Sequence, residues 1–159
     1  TTAALFALAF ASPAIGGMDA SEPGSVEGSF RGASLGSKLY CTGVYLIPRS
    51  PEIDRRIADK FGTINEGEAL LPAALTEGRP SATRRQPPPG SERTWCQRTR
   101  FAQKFAFDEV PAGEYYVTMT ASPVAPIDDQ RLRGKTVELM QRVVVVPGRA
   151  VSLRFAHVN

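Results

Sequence analysis

The apolar positions of this chain change period several times, and each change marks an element. "KLYCTGVYLIP", Lys38 to Pro48, is apolar on both faces and predicts a central strand of a two-layer structure. In "RSPEIDRRIADKFG" the pattern turns helical, with Ile53, Ile57 and Phe61 recurring every four residues. Ser50 suits the N-cap, Pro51 the first helical position, and Glu52 and Asp54 the positive end of the helix, while Gly62 can close it. The spacing predicts a short amphipathic helix over about 51–61, laid on a sheet by its apolar stripe. Ala69 to Leu75 is a weaker apolar segment, strand or helical turn.

From Phe101 onward the period is two. Phe105 and Phe107 alternate on one face, Pro111-Ala112-Gly113 reads as a hairpin turn, and Tyr115, Val117 and Met119 continue the apolar side. Thr118 and Thr120 point the other way. After the proline-broken "SPVAPIDDQRLRG" come "KTVELMQRVVVV", a turn at Pro147-Gly148, and "AVSLRFAHV", where Val151, Leu153 and Phe155 face a core. Strands follow strands without helices between them, so the connections are expected to be antiparallel. The pattern predicts an all-β fold, an antiparallel β-sandwich of roughly seven strands with one short helix.

Between these regions lies "EGRPSATRRQPPPGSER", read as a long irregular Pro/Arg-rich loop, because Pro87, Pro88 and Pro89 lack backbone donors and hold the chain extended. Connections of that length inside a compact domain are functional or mobile. Trp95, beside Cys96, is expected to anchor its far end.

The 159 residues suit one domain, and the fourteen glycines and thirteen prolines punctuate the whole length, as short strands joined by turns require. The beginning differs. Ala3 to Ala11 is an uncharged apolar run too short to span a bilayer but right for a signal-peptide core, with Ala9-Phe10-Ala11 offering the small residues a signal peptidase reads. Residues 1–11 are therefore read as a signal-peptide remnant, 12–28 as a linker or extended arm, and 29–159 as the sandwich domain. The expected location is outside the cytoplasm, in the periplasm or at the cell surface of a bacterium, with membrane association only if the apolar N-terminus is retained.

Export decides the cysteines. Two cysteines in an oxidising compartment predict a disulfide, Cys41 to Cys96, rather than a metal or catalytic site. Charge then singles out one region. Arg79, Arg84, Arg85, Arg93, Arg98, Arg100 and Lys104 face Glu92 alone between residues 79 and 104, a balance of +6 against +3 for the whole chain. In an exported protein that points to an anionic surface or acidic partner rather than nucleic acid. Arg79, Arg84, Arg85, Arg93, Trp95, Arg98 and Arg100 form the candidate interaction surface.

Catalysis finds little to work with. A serine triad or cysteine dyad needs an aligned histidine, and His157, near the end of the last strand, is the sole one. Once the cysteines pair, the ligand set for a zinc site is missing. Asp128 and Asp129, with Glu109 and Glu114, lack the spacing of a calcium loop. No cofactor, no metal and no enzymatic activity are expected.

"GVYLIPRSPEIDRRIADKFG", "RTRFAQKFAFDEVPAGEYYVTM" and "GKTVELMQRVVVVPGRAVSLRF" together resemble the carboxypeptidase regulatory-like domain group. The group has a prealbumin-like, or transthyretin-like, β-sandwich. The resemblance runs from about Val44 to Phe155 and includes a V-x-L-x-P strand and an F-x-F-x-x-V-P-A-G-x-Y-Y-V segment. It departs where relatives place an Asp-x-x-Gly-like turn, since this chain has Arg100-Phe101-Ala102-Gln103 there. The resemblance implies a non-catalytic module. The expectation is an exported accessory or interaction subunit of an envelope or membrane-associated assembly, docked on an envelope protein complex. The alternative is a glycan-binding module in which Tyr40, Tyr45, Tyr116 or Trp95 presents an aromatic platform.

Overall fold

The computed structural model describes residues 22–34, 37–71, 88–98, 102–123 and 136–158. Among these residues nine strands and one helix follow one another: β1 (Gly24–Ser34), β2 (Ser37–Pro48), α1 (Pro51–Phe61), β3 (Glu66–Leu71), β4 (Glu92–Thr94), β5 (Gln97–Arg98), β6 (Gln103–Val110), β7 (Gly113–Pro123), β8 (Thr136–Val145) and β9 (Ala150–Val158). One sheet runs β9-β1-β6-β5 and the other β4-β2-β7-β8-β3. They join at one corner, where Ala33 pairs with Lys38 and Ser34 with Ser37. The architecture is the expected all-β sandwich.

The interior is filled from both sheets by the alternation read in the sequence. Val26 and Phe30 of β1, Phe105 and Phe107 of β6 and Phe155 of β9 meet Val44 and Leu46 of β2 and Tyr115, Val117 and Met119 of β7. The Phe105 ring stands edge-on to Phe107, centroids 6.2 Å apart, and tilted against Phe155 at 6.0 Å. Each such buried side chain contributes about 1.5–3 kcal/mol.

The helix forms where the spacing placed it. Ser50 Oγ accepts the Ile53 N–H at 3.2 Å, Pro51 opens the first turn, and Gly62, with φ of 72°, closes the last. Ile53 and Ile57 bury against Ile47, Tyr116 and Met140 on the outer face of the second sheet. The weak segment after it begins as edge strand β3; residues 72–75 lie outside the described residues.

Four expectations are corrected. Residues 24–28, assigned to the arm, open the central strand β1, because Val26 and Phe30 alternate into the core. Gly28 between them has no room for a side chain: a Cβ there would lie 2.2 Å from the Phe105 ring. Second, β1 and β9 are parallel, from Ser25 opposite Ala150 to Ala33 opposite Val158, which places the first and last described strands side by side. Third, the last two residues of the Pro/Arg-rich stretch, Glu92 and Arg93, begin strand β4, which helps take the count among the described residues to nine. Fourth, Pro111-Ala112-Gly113 is not a hairpin. β6 pairs with β1 and β5, whereas β7 pairs with β2 and β8, so the link arches from one sheet to the other. Its two apolar faces meet across the core instead of lying side by side, and the Tyr115 hydroxyl donates to Pro111 O at 2.9 Å to fix the arch.

Candidate functional site

Strand β4 is the element that builds an exposed site. Its three residues pair antiparallel with β2, Val44 opposite Thr94, Tyr45 opposite Arg93 and Leu46 opposite Glu92. Cross-strand partners share a face. Val44 and Leu46 point into the core, so Tyr45 and Arg93 point outward, beside the helix-covered patch that Tyr45 also touches.

The Arg93 guanidinium lies 5.4 Å from the Tyr45 ring centroid and 3.8 Å from that of Trp95. Trp95, two residues on, leaves 61% of its surface to solvent. A cation held this close to an indole face is attracted by the ring quadrupole and fixes both side chains at little further entropic cost. Farther along β2, the Arg98 guanidinium sits 4.6 Å from the Tyr40 ring centroid and donates to the Tyr40 hydroxyl at 3.3 Å. Two stacked Arg–aromatic units therefore line one strand.

The disulfide sets the frame. Cys96 follows Trp95 and is bonded to Cys41 of β2, with Cα atoms 5.9 Å apart. That separation suits a disulfide without backbone displacement. The expected pairing is present, and it pins the chain where it passes from β4 in one sheet to β5 in the other.

Of the predicted interaction surface, the structure brings together Arg93, Trp95 and Arg98, joined by Tyr40 and Tyr45. Arg79, Arg84, Arg85 and Arg100 lie outside the described residues, as do Asp128 and Asp129. Trp95 is corrected from a packing anchor to an exposed side chain, because the adjacent disulfide does the anchoring. Tyr116 is removed from the aromatic platform: it is fully buried. His157 lies on β9 opposite Gly32.

A second polar cluster escaped the sequence reading. The Arg49 guanidinium grips Asp54, Nε to Oδ1 and Nη2 to Oδ2 both at 2.9 Å, and also donates to Glu114 Oε2. Arg142 Nη2 reaches the same Glu114 oxygen at 2.8 Å, and the Tyr116 hydroxyl donates to Asp54 Oδ1 at 2.6 Å. The Arg49 hydrogen bond, followed by that from Tyr116, holds the Asp54 carboxyl below its ordinary range. Arg49 chiefly does the same to Glu114, while burial and then Asp54 push the Tyr116 phenol up. Every charge here is already partnered, so the cluster ties the helix start to β7 and β8 and offers nothing open to a ligand. The one signal for it was Asp54, which the sequence reading placed at the helix N-terminus.

A scan against protein-family models finds no match, and no curated protein matches the chain. Among solved structures, a Pseudomonas aeruginosa protein described as a "putative carbohydrate binding protein" is similar over 88% of this chain and 92% of its own, with a TM-score of 0.52 and 20% sequence identity. A likeness at that identity shows a shared fold.

Proposed function

We propose that this chain is a non-catalytic, exported glycan-binding module, which takes sugar on the Trp95–Arg93–Tyr45 and Arg98–Tyr40 row. The carrying observation is the stacked, exposed indole: Trp95 is 61% accessible, yet Arg93 holds it at 3.8 Å. Aromatic side chains that are rigid, amphipathic and wet at one end suit recognition surfaces. The description of the Pseudomonas neighbour as carbohydrate binding agrees with this reading. The resemblance of the sequence to the carboxypeptidase regulatory-like group, whose domains are mostly non-catalytic modules, is in keeping with it. The Cys41–Cys96 bond favours an oxidising compartment, which supports export.

Docking of the module on an envelope protein assembly is the second reading. It is favoured by the exposed Arg93 and Arg98, which belong to the +6 stretch between residues 79 and 104.

Trp95 is the sole tryptophan, so intrinsic fluorescence reports the site directly. Glycan binding predicts a saturable change in Trp95 emission on titration with oligosaccharides, and retardation in polysaccharide gels that Trp95→Ala removes. If no polysaccharide retards the protein, while crosslinking from residues 79–104 captures an envelope protein, the glycan reading fails and docking stands.

A further inference from the structure

We infer that the row selects a carboxylate-bearing glycan, of the uronate type, with Arg93 and Arg98 as the carboxylate-reading residues. The inference rests on the glycan reading above and adds the charge of the sugar.

The two arginines differ from those that serve the fold. Arg49 is matched to Asp54 and Glu114, Arg56 to Glu52, and Arg142 to Glu114. Among the described residues no carboxylate pairs with Arg93 or Arg98. Aromatic rings hold their guanidiniums instead, at 3.8 and 5.4 Å for Arg93 and 4.6 Å for Arg98. Stacking occupies the flat face of a guanidinium and leaves N–H groups along its edges to donate, two of which match a carboxylate in bidentate fashion; Arg98 Nη2 already gives one to the Tyr40 hydroxyl.

Orientation adds specificity. The Nε–Nη2 edge of Arg93 is turned to β2, where a Cβ added at Gly43 would come 3.5 Å from Nη2, 3.6 Å from Nε and 4.0 Å from Cζ, so the Nη1–Nη2 end is the edge directed away from the strand. Arg93 covers one face of Trp95 at 3.8 Å, so the sugar would stack on the opposite face and turn its ring carboxylate past the indole edge toward the guanidinium. Tyr40 lies farther along the same strand, about 13 Å from Tyr45 at a rise of roughly 3.3 Å per residue with one bulged residue between. The second Arg–Tyr unit is then placed for another residue of the same chain, which favours an oligosaccharide over a monosaccharide.

The test uses the full chain and three probes read by Trp95 fluorescence: oligogalacturonate, the same oligomer fully methyl-esterified, and a neutral cello-oligosaccharide. The expected result is acid binding at least about tenfold tighter than ester binding at low salt, the value of one exposed charge-assisted contact. The ratio narrows as salt rises. Arg93→Gln and Arg98→Gln, made separately so that one folding failure does not remove the test, each reduce the acid-to-ester ratio. Equal binding of acid and ester overturns the charge selection and leaves glycan binding intact. Binding of none of the three probes, with capture of an acidic protein instead, overturns both.

Discussion

The side-chain carbonyl of Gln103 accepts the backbone N–H of Cys41 at 2.8 Å. The same amide donates through Nε2 to Leu39 O at 3.0 Å, so one side chain on β6 acts as a missing strand for β2. The gap it fills lies between Lys38, where β1 stops pairing with β2, and Val44, where β4 starts. Gln103→Leu preserves bulk and leaves a donor and an acceptor without protein partners in a half-buried position. It is expected to cost about 1–2 kcal/mol, read as a lower urea midpoint at unchanged slope. Gln103→Glu, which keeps an acceptor and loses the donor to Leu39 O, should fall between the two.

The Cys41–Cys96 bond closes a loop of 55 residues in sequence separation. In the chain-entropy model a loop of that length stabilises the fold by about 4 kcal/mol. The double variant Cys41→Ser, Cys96→Ser should lose up to that amount in urea unfolding without reductant. It should also quench or shift Trp95 emission before the global transition, since the strap from β4 to β5 is held by this bond. Coincident fluorescence and circular-dichroism transitions would show that the strap needs no disulfide.

Val110 is fully buried although it stands three residues after Phe107, because β6 carries a bulge. Gly24 pairs with Val110 and Val26 with Phe107, so the chain has an extra residue there, and Glu109 takes up the turn with φ of 55°. Left-handed backbone is costly for a side chain with a Cβ and free for glycine. Glu109→Gly should therefore stabilise the protein by about 0.5–1 kcal/mol, less than the local strain because glycine also loosens the unfolded chain. A lower melting temperature for this variant would mean that the Glu109 side chain contributes more than its backbone costs.

The bulges explain what the sequence could and could not announce. The F-x-F-x-x-V spacing carries the break in its doubled x, but a period-two reading treats Val110 merely as a strand end. β2 has its own bulge between Cys41 and Gly43, which moves the core positions from Leu39 and Cys41 to Val44 and Leu46. The strand is nonetheless apolar on both faces, as read, because Ile47 and Tyr45 pack on the helix side while Val44 and Leu46 face the core. The helix was legible to the residue because its caps are local chemistry. Which strands pair is not local: the Pro111–Gly113 arch and a tight hairpin have the same composition, and only the partners of β6 and β7 separate them. The site shows the same division. Arg93 and Trp95 were visible as a basic and an aromatic residue two apart, whereas their relation to Tyr45 and Tyr40 depends on β4 and β5 lying beside distant strands.

Gly28 faces the Phe105 ring so closely that an added Cβ would lie 2.2 Å from one ring carbon and 2.5 Å from another. Phe105 is itself packed between Phe107 and Phe155, which restricts its retreat. Gly28→Ala should cost about 1–3 kcal/mol by overpacking. Pairing it with Phe105→Leu, which withdraws the ring, should recover part of that loss; strictly additive effects in a double-mutant cycle would show that the two positions do not compete for space.

The cluster around Arg49 makes stability depend on pH in a direction that can be worked out. Asp54 and Glu114 have ordinary values of 3.8 and 4.5, and both are lowered in the fold, first by Arg49. Between the lowered and ordinary values the unfolded chain binds protons that the folded chain does not, so stability rises with pH through that interval. Their contribution is complete above about pH 5 and is lost as pH falls from there through the lowered folded values. Tyr116 acts at the other end: its pKa is raised, so its contribution is present below 10 and is lost as pH rises through the folded value. Both side chains of the Asp54–Arg49 pair are about one-quarter exposed, so solvent screening limits the effect. Urea midpoints recorded from pH 7 to pH 3 should fall steadily below about pH 5. In Asp54→Asn the fall should be shallower, because one of the two responding carboxylates is gone, and the midpoint at pH 7 should be lower. An acid limb of unchanged slope in Asp54→Asn would assign the pH dependence to carboxylates elsewhere and leave Asp54 as a hydrogen-bond acceptor for Tyr116 and Arg49 whose charge adds nothing to the acid response.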